Sequence, residues 1–207
     1  MTLIRIASVE APLNRPALLG PAVGLVRRAL AVGLLRDREL VERLDMELLR
    51  GIAREASLAG IGQDAAIELL ERPGPARLGR AIGRLGEALA ESPLPERELA
   101  QLADVLDLDD LGELVGASPV SLRRYAAGTR AVPDAIAGRI HWLALVTADL
   151  AGAYNRLGIR RWFDRPRSQL DGRSPRQLLG RDWHADQPRV ERVRQLAAAL
   201  AGPGSAG

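Results

Sequence analysis

The sequence predicts an all-α protein: a helical N-terminal region, a helix-turn-helix bundle and a small helical C-terminal domain. Three observations carry that prediction. Apolar residues recur at helical spacing in nearly every segment, and none sustains the alternation of a half-buried strand. Cap-proline pairs mark helix starts at Ser118-Pro119 and Ser174-Pro175. Aromatics are 3% of 207 residues, too few for an aromatic-rich sheet core.

Taken in order, 3–9 (LIRIASV) alone has strand character and reads as an arm or edge strand. Pro12, Pro16 and Pro21 make the next stretch a loop or a broken helix entry. A first helix is expected over about 22–35. A second is expected over about 38–57, with Asp37 as N-cap and Leu40, Val41, Leu44, Leu48, Ile52 and Ala56 on one face. Asp64 caps a short helix over 65–71. Another follows over 76–91, where Gly79, Gly83 and Gly86 have the small-residue spacing that permits close helix approach. Ser92-Pro93-Leu94-Pro95 reads as a boundary. The expected regions are therefore 1–95, helical and a dimerisation candidate; 96–153, the helix-turn-helix; 154–202, the C-terminal domain; and 203–207, a flexible tail.

Composition narrows function. There is no cysteine, which excludes disulfides, zinc-thiolate sites and thiol nucleophiles. Two distant histidines, His141 and His184, offer little for metal or acid-base chemistry. No phosphate loop, His-x-x-x-His or Gly-x-Ser-x-Gly is present, so neither an enzyme nor a cofactor is expected. Asp104, Asp107, Asp109 and Asp110 lack the glycine and terminal glutamate of a calcium loop; helix capping explains them, and no metal site is expected. The longest apolar run near the start, 16–26, is 11 residues and stops at Arg27-Arg28, so no membrane span and a cytoplasmic protein are expected. All 29 basic residues are arginine. They are unevenly placed: 1–118 carries 14 Arg against 19 Asp+Glu, whereas 119–207 carries 15 against 7. That asymmetry suggests a polyanion or an acidic partner for the C-terminal half.

The stretch 108–127, LDDLGELVGASPVSLRRYAA, is the most informative. Leu111 and Val115 point inward from a first helix, and Gly112 is small where a second helix crosses. Gly116 supplies the φ > 0 that closes the turn. Ser118 caps the second helix and Pro119 takes its first position. Leu122 and Tyr125 turn back to the core, leaving Ser118, Val120, Ser121, Arg123, Arg124 and Ala127 outside. Such a helix suits the major groove of double-stranded operator DNA: early residues reach base edges, and arginines take guanine edges or phosphates. Thr129 and Arg130 follow the terminating Gly128, with Arg130 placed to clamp a phosphate. A homodimer is expected, because half-sites are read by symmetric pairs, and the apolar surplus of 22–57 is the expected dimer surface. A long helix over about 134–155 comes next. Ile136, Ile140, Leu143, Val146 and Leu150 form its buried stripe, His141 and Trp142 lie on or beside it, and Thr147 interrupts it.

Beyond it stand W-F-D-R-P at 162–166, G-R-S-P-R-Q-L-L at 172–179 and V-x-x-V-x-x-L-A from Val190 to Ala197. This order, directly after a helix-turn-helix, resembles the C-terminal toxin-binding domain of Xre/MbcA/ParS-type antitoxins over about 99–202, half the chain. The resemblance implies a dimeric, operator-binding antitoxin that autoregulates its operon and neutralises a RES-type toxin, an NAD-degrading enzyme. Family members plug or cover the toxin active site with this domain and the chain end. Carried over, Ser118, Ser121, Arg123 and Arg124 face DNA, and Trp162, Arg173, Ser174, Pro175, Leu178, Val190, Val193 and Leu196 form or support the toxin-facing module. Plain core packing is the alternative for the whole set, and for Trp162, Leu178, Val193 and Leu196 it is the favoured reading. The chain departs from the pattern in its roughly 95 extra N-terminal residues and in the uncharged tail 202–207. A stand-alone dimeric regulator with no toxin is the alternative function.

Overall fold

The computed structural model describes residues 3–35, 40–71 and 73–200. Among them are eleven α-helices, one 3-10 turn and one two-stranded sheet, so the protein is predominantly α-helical. The chain divides into two compact units, Met1–Ser92 and Pro93–Gly207.

The first unit runs β1 (Leu3–Val9), α1 (Pro16–Ala31), β2 (Leu40–Leu44), α2 (Met46–Leu58), α3 (Gln63–Leu70) and α4 (Pro75–Glu91). β1 and β2 pair in parallel, Ile4 opposite Val41 and Val9 opposite Leu44, with an irregularity between Ile4 and Ser8. A parallel pair needs a crossover, and α1 supplies it. The expected helix over 38–57 is therefore corrected. Its first turns are β2, and the helix starts only at Met46, because the extended Asp45 accepts a bond from the Leu48 N–H at 2.8 Å. Val41 and Leu44 are buried and three residues apart, a spacing that mimics a helical stripe. Asp37 lies outside the described residues. The first helix also starts earlier than expected. Pro16 occupies its opening turn, where no N–H is needed, and Pro21 is accommodated inside it.

Leu18, Leu25 and Val26 of α1 and Leu49 and Ile52 of α2 fill this unit's core with Ile82 and Leu85 of α4. α1 packs on α4, and α2 on α3. A Cβ on Gly79 would meet Leu18 Cδ2 at 3.3 Å and one on Gly86 would meet Arg28 Nη1 at 3.1 Å, whereas Gly83 faces open space. Two of the three glycines thus permit close approach. Among the described residues of 22–57, expected to form a dimer surface, the large apolar side chains are mostly buried inside the unit. Among the described residues, the unit's exposed large apolar side chains are instead Leu58 and Ile67.

The second unit holds α5 (Pro95–Ala103), α6 (Leu108–Val115), α7 (Pro119–Ala126), α8 (Asp134–Leu150), α9 (Arg156–Asp164), a 3-10 turn (Ser168–Leu170), α10 (Pro175–Leu179) and α11 (Pro188–Leu200). The helix-turn-helix and the C-terminal segment share this unit. α8 is its axis: every residue from Arg139 to Ala148 is buried, and α5, α6 and α11 pack around it. The Thr147 hydroxyl satisfies itself on the Ala144 carbonyl at 3.0 Å, which is how a polar residue fits the stripe. The helix ends at Leu150, short of the expected 155, because Asn155 caps α9 through the Gly158 N–H at 2.8 Å. Buried Glu98 accepts from the Leu94 N–H at 3.1 Å and pairs with His141 Nδ1 at 2.6 Å, joining α5 to α8. Among the described residues, no helix is long and apolar enough to cross a membrane.

Candidate nucleic-acid interface

Asp107 begins α6 by accepting a bond from the Asp110 N–H at 2.9 Å. That bond, first, holds the Asp107 carboxyl below the usual carboxylate range. Leu111, Leu114 and Val115 are buried. Gly116 ends the helix at φ 75, a region where a side chain is strained. The N–H groups of Gly116 and Ala117 both reach the Gly112 carbonyl, at 2.9 and 3.0 Å. Gly112 sits where the chain doubles back: a Cβ there would lie 2.6 Å from the Ala117 carbonyl oxygen.

α7 then starts at a capped end. The Ser118 hydroxyl accepts the Ser121 N–H at 3.2 Å, and Pro119 fills the first helical position. Leu122 and Tyr125 are buried, and α7 packs on α5 and α6. At the far end Thr129 N–H reaches the Arg124 carbonyl and Gly128 N–H the Tyr125 carbonyl, both at 3.0 Å, with Gly128 at φ 66. This paired closure satisfies the last carbonyls of the helix.

The opposite face is open. Val120 is 54% exposed. Ser118, Arg123, Arg124, Thr129 and Arg130 are exposed and Ser121 is half-buried. Arg130 Nη1 lies 3.5 Å from Ser121 Oγ, with its guanidinium 5.6 Å from the Tyr125 ring centre. Among the described residues, no carboxylate pairs with Arg123, Arg124 or Arg130. By contrast, Arg176 of α10 is bound to Asp110 at 2.8 Å, Glu113 at 3.3 Å and Asp164 at 2.7 Å. The charge asymmetry along the chain is thus partly cancelled by folding, and α7 keeps arginines that folding leaves unmatched. On another side of the turn, an open cleft of about 440 Å³ is lined by Asp109, Glu113 and Asp182 with Arg181. Its negative excess disfavours a phosphate backbone there.

The eight residues carried over as a toxin-facing module have a different placement. Trp162, Ser174, Pro175, Leu178, Val190 and Val193 are buried, and Leu196 is half-buried; Arg173 is exposed. Trp162 packs edge-on against Phe163 at 5.3 Å, under the Arg167 guanidinium at 4.9 Å. Ser174 and Gln177 form a reciprocal cap of α10, at 3.2 and 2.9 Å. The carried-over residues other than Arg173 therefore build the second unit's interior or line its margin.

Two residues that brace the end of α6 escape the motif reading. Arg139, buried in α8, and Trp183, after α10, bind the last carbonyls of α6. A lone arginine inside an apolar stripe was the available signal for the first. For the second there was none beyond a tryptophan in a polar loop. Comparison of the chain with family models, with curated proteins and with solved structures gave no match.

Proposed function

We propose that the chain is a DNA-binding regulator that reads a duplex major groove with α7, as a homodimer. The observation that supports this most directly is the open face of α7, whose arginines have no carboxylate partner among the described residues, beside a serine-capped, proline-started helix end. Arg123 and Arg124 would take base edges or phosphates, Ser118, Val120 and Ser121 would approach bases, and Thr129 and Arg130 would hold the backbone.

The resemblance over 99–202 extends the proposal to an antitoxin that binds a RES-type toxin and represses its own operon. The burial of six of the eight carried-over residues favours the second reading, a stand-alone regulator, because a buried side chain offers a partner nothing to touch. Co-expression with a RES-type protein encoded beside it separates the two: a stable complex supports the antitoxin, and its absence the regulator.

Selection from a pool of randomised duplexes tests the DNA reading, followed by gel shift with the winning sequence. Arg123→Ala with Arg124→Ala should weaken binding at least tenfold, since each lost base contact costs about 1–3 kcal/mol, and should flatten the salt dependence. The circular dichroism spectrum should not change. An unchanged shift removes α7 from the interface. Sedimentation that finds only monomer, with and without duplex, removes the dimer.

A further inference from the structure

The last four carbonyls of an α-helix have no partner within it. In α6, two of these are satisfied from outside the α6–α7 pair. The Trp183 indole Nε1–H donates to the Leu114 carbonyl at 2.7 Å, and Arg139 Nη1 donates to the Val115 carbonyl at 3.0 Å. Arg139 Nε also donates to the Trp183 carbonyl at 2.8 Å, and its guanidinium lies 6.0 Å from the indole centre. The two residues are therefore one clamp, closed on a further side by Trp142 edge-on at 4.9 Å. Trp183 is 0% exposed and Arg139 7%, so water does not compete for these bonds. The arginine also places its charge at the negative end of α6. The turn runs directly against the clamp: a Cβ on Gly116 would lie 2.8 Å from Arg139 Nη1 and 3.2 Å from the Arg181 carbonyl.

We propose that Trp183 and Arg139 are positioning residues for duplex reading. They hold the carboxyl end of α6, and hence the angle at which α7 leaves the turn, so the segment after α10 is a working part of the DNA-reading module. The inference rests on the duplex-binding reading above. Neither residue touches the duplex; both act through α6. Linkage then makes a demand that simple core packing does not. If duplex prefers the clamped turn, duplex must in return tighten the clamp by the same factor.

Amide and indole hydrogen exchange on the ¹⁵N-labelled full chain tests this. Trp183→Phe keeps a ring against Trp142 and deletes only the donor. It should speed exchange of the Gly116 and Ala117 amides at least tenfold, with Leu143 in α8 unchanged. Affinity for the selected duplex should fall at least tenfold, while weak low-salt binding to an unrelated duplex stays. In the wild type, the selected duplex should slow exchange of the Trp183 indole N–H. Arg139→Gln should act in the same direction and serves as the test if Trp183→Phe does not fold. Unchanged turn exchange overturns the clamp. Faster exchange with unchanged duplex affinity, or an indole indifferent to duplex, overturns the positioning role. A wild-type chain that selects no duplex sinks the DNA reading and the role with it. The exchange without duplex still shows whether the clamp holds the turn, so the two failures are told apart.

Discussion

Replacing Gly112 by alanine should destabilise the second unit, although alanine is the better helix former by about 1 kcal/mol. The reason is the crossing. The new Cβ would stand 2.6 Å from the Ala117 carbonyl oxygen and must reach about 3.4 Å for ordinary contact, a shift of about 0.8 Å. Ala117 is also tied to Gly112 through its own N–H, at 3.0 Å, so the shift strains a bond worth about 1 kcal/mol. Overpacking of this kind costs about 1–3 kcal/mol, and a net loss of up to about 3 kcal/mol is expected once the strained bond is added and the propensity gain subtracted. Gly138 is the matched control. It too is helical, in α8, but a Cβ there meets nothing within 4 Å. Gly138→Ala should therefore stabilise by up to about 1 kcal/mol. Urea unfolding followed by tryptophan fluorescence reports the right unit, because Trp142, Trp162 and Trp183 all lie within it. Equal midpoints for the two variants at equal slope would refute the claim that the chain crosses at Gly112.

Two further outcomes concern charge. His141→Ala leaves the fully buried Glu98 with one bond, from Leu94, and should cost about 1–3 kcal/mol in the same urea assay; an unmoved midpoint would show that the lost bond was not desolvated. In acid, the carboxyls of Asp171 and Asp107, both in the second unit, lie below their ordinary values, held there chiefly by a bond from Arg192 and by the Asp110 N–H respectively. A depressed carboxyl contributes stability that is present above its unfolded value and is lost as pH falls through its folded value. The urea midpoint should thus stay level from neutral to about pH 5 and fall below about pH 4. Asp171→Asn, which tolerates the residue's φ of 57, should shallow that fall; an identical slope would dismiss the Asp171–Arg192 contribution.

The helix-turn-helix was legible because its signals are local. Asp107, Gly116, Ser118 and Pro119 act on backbone groups within a few residues, and Leu111, Leu122 and Tyr125 declare their face by spacing alone. The same holds for the cap at Ser174. β2 was not legible, because its strand character depends on pairing with β1, more than thirty residues earlier, and Val41 and Leu44 satisfy a helical period equally well. The C-terminal motif was legible as a pattern, yet the pattern does not say which of its side chains reach the surface. Trp162, Leu178 and Val193 are apolar in either role.

By itself, then, the sequence determined an all-α chain with a glycine-cornered, serine-capped helix pair and an excess of arginine beyond it. Tertiary structure alone decided which arginines stay unmatched among the described residues, as Arg123 and Arg124 do, and which are consumed, as Arg176 is by three carboxylates. It alone brought Trp183 to a carbonyl 69 residues away. The physical reason is range. Propensity, capping and turn chemistry act over one or two helical turns. Ion pairs and end-of-helix donors depend on which distant segments the core draws together, and buried bonds of that kind hold only after water has been excluded around them.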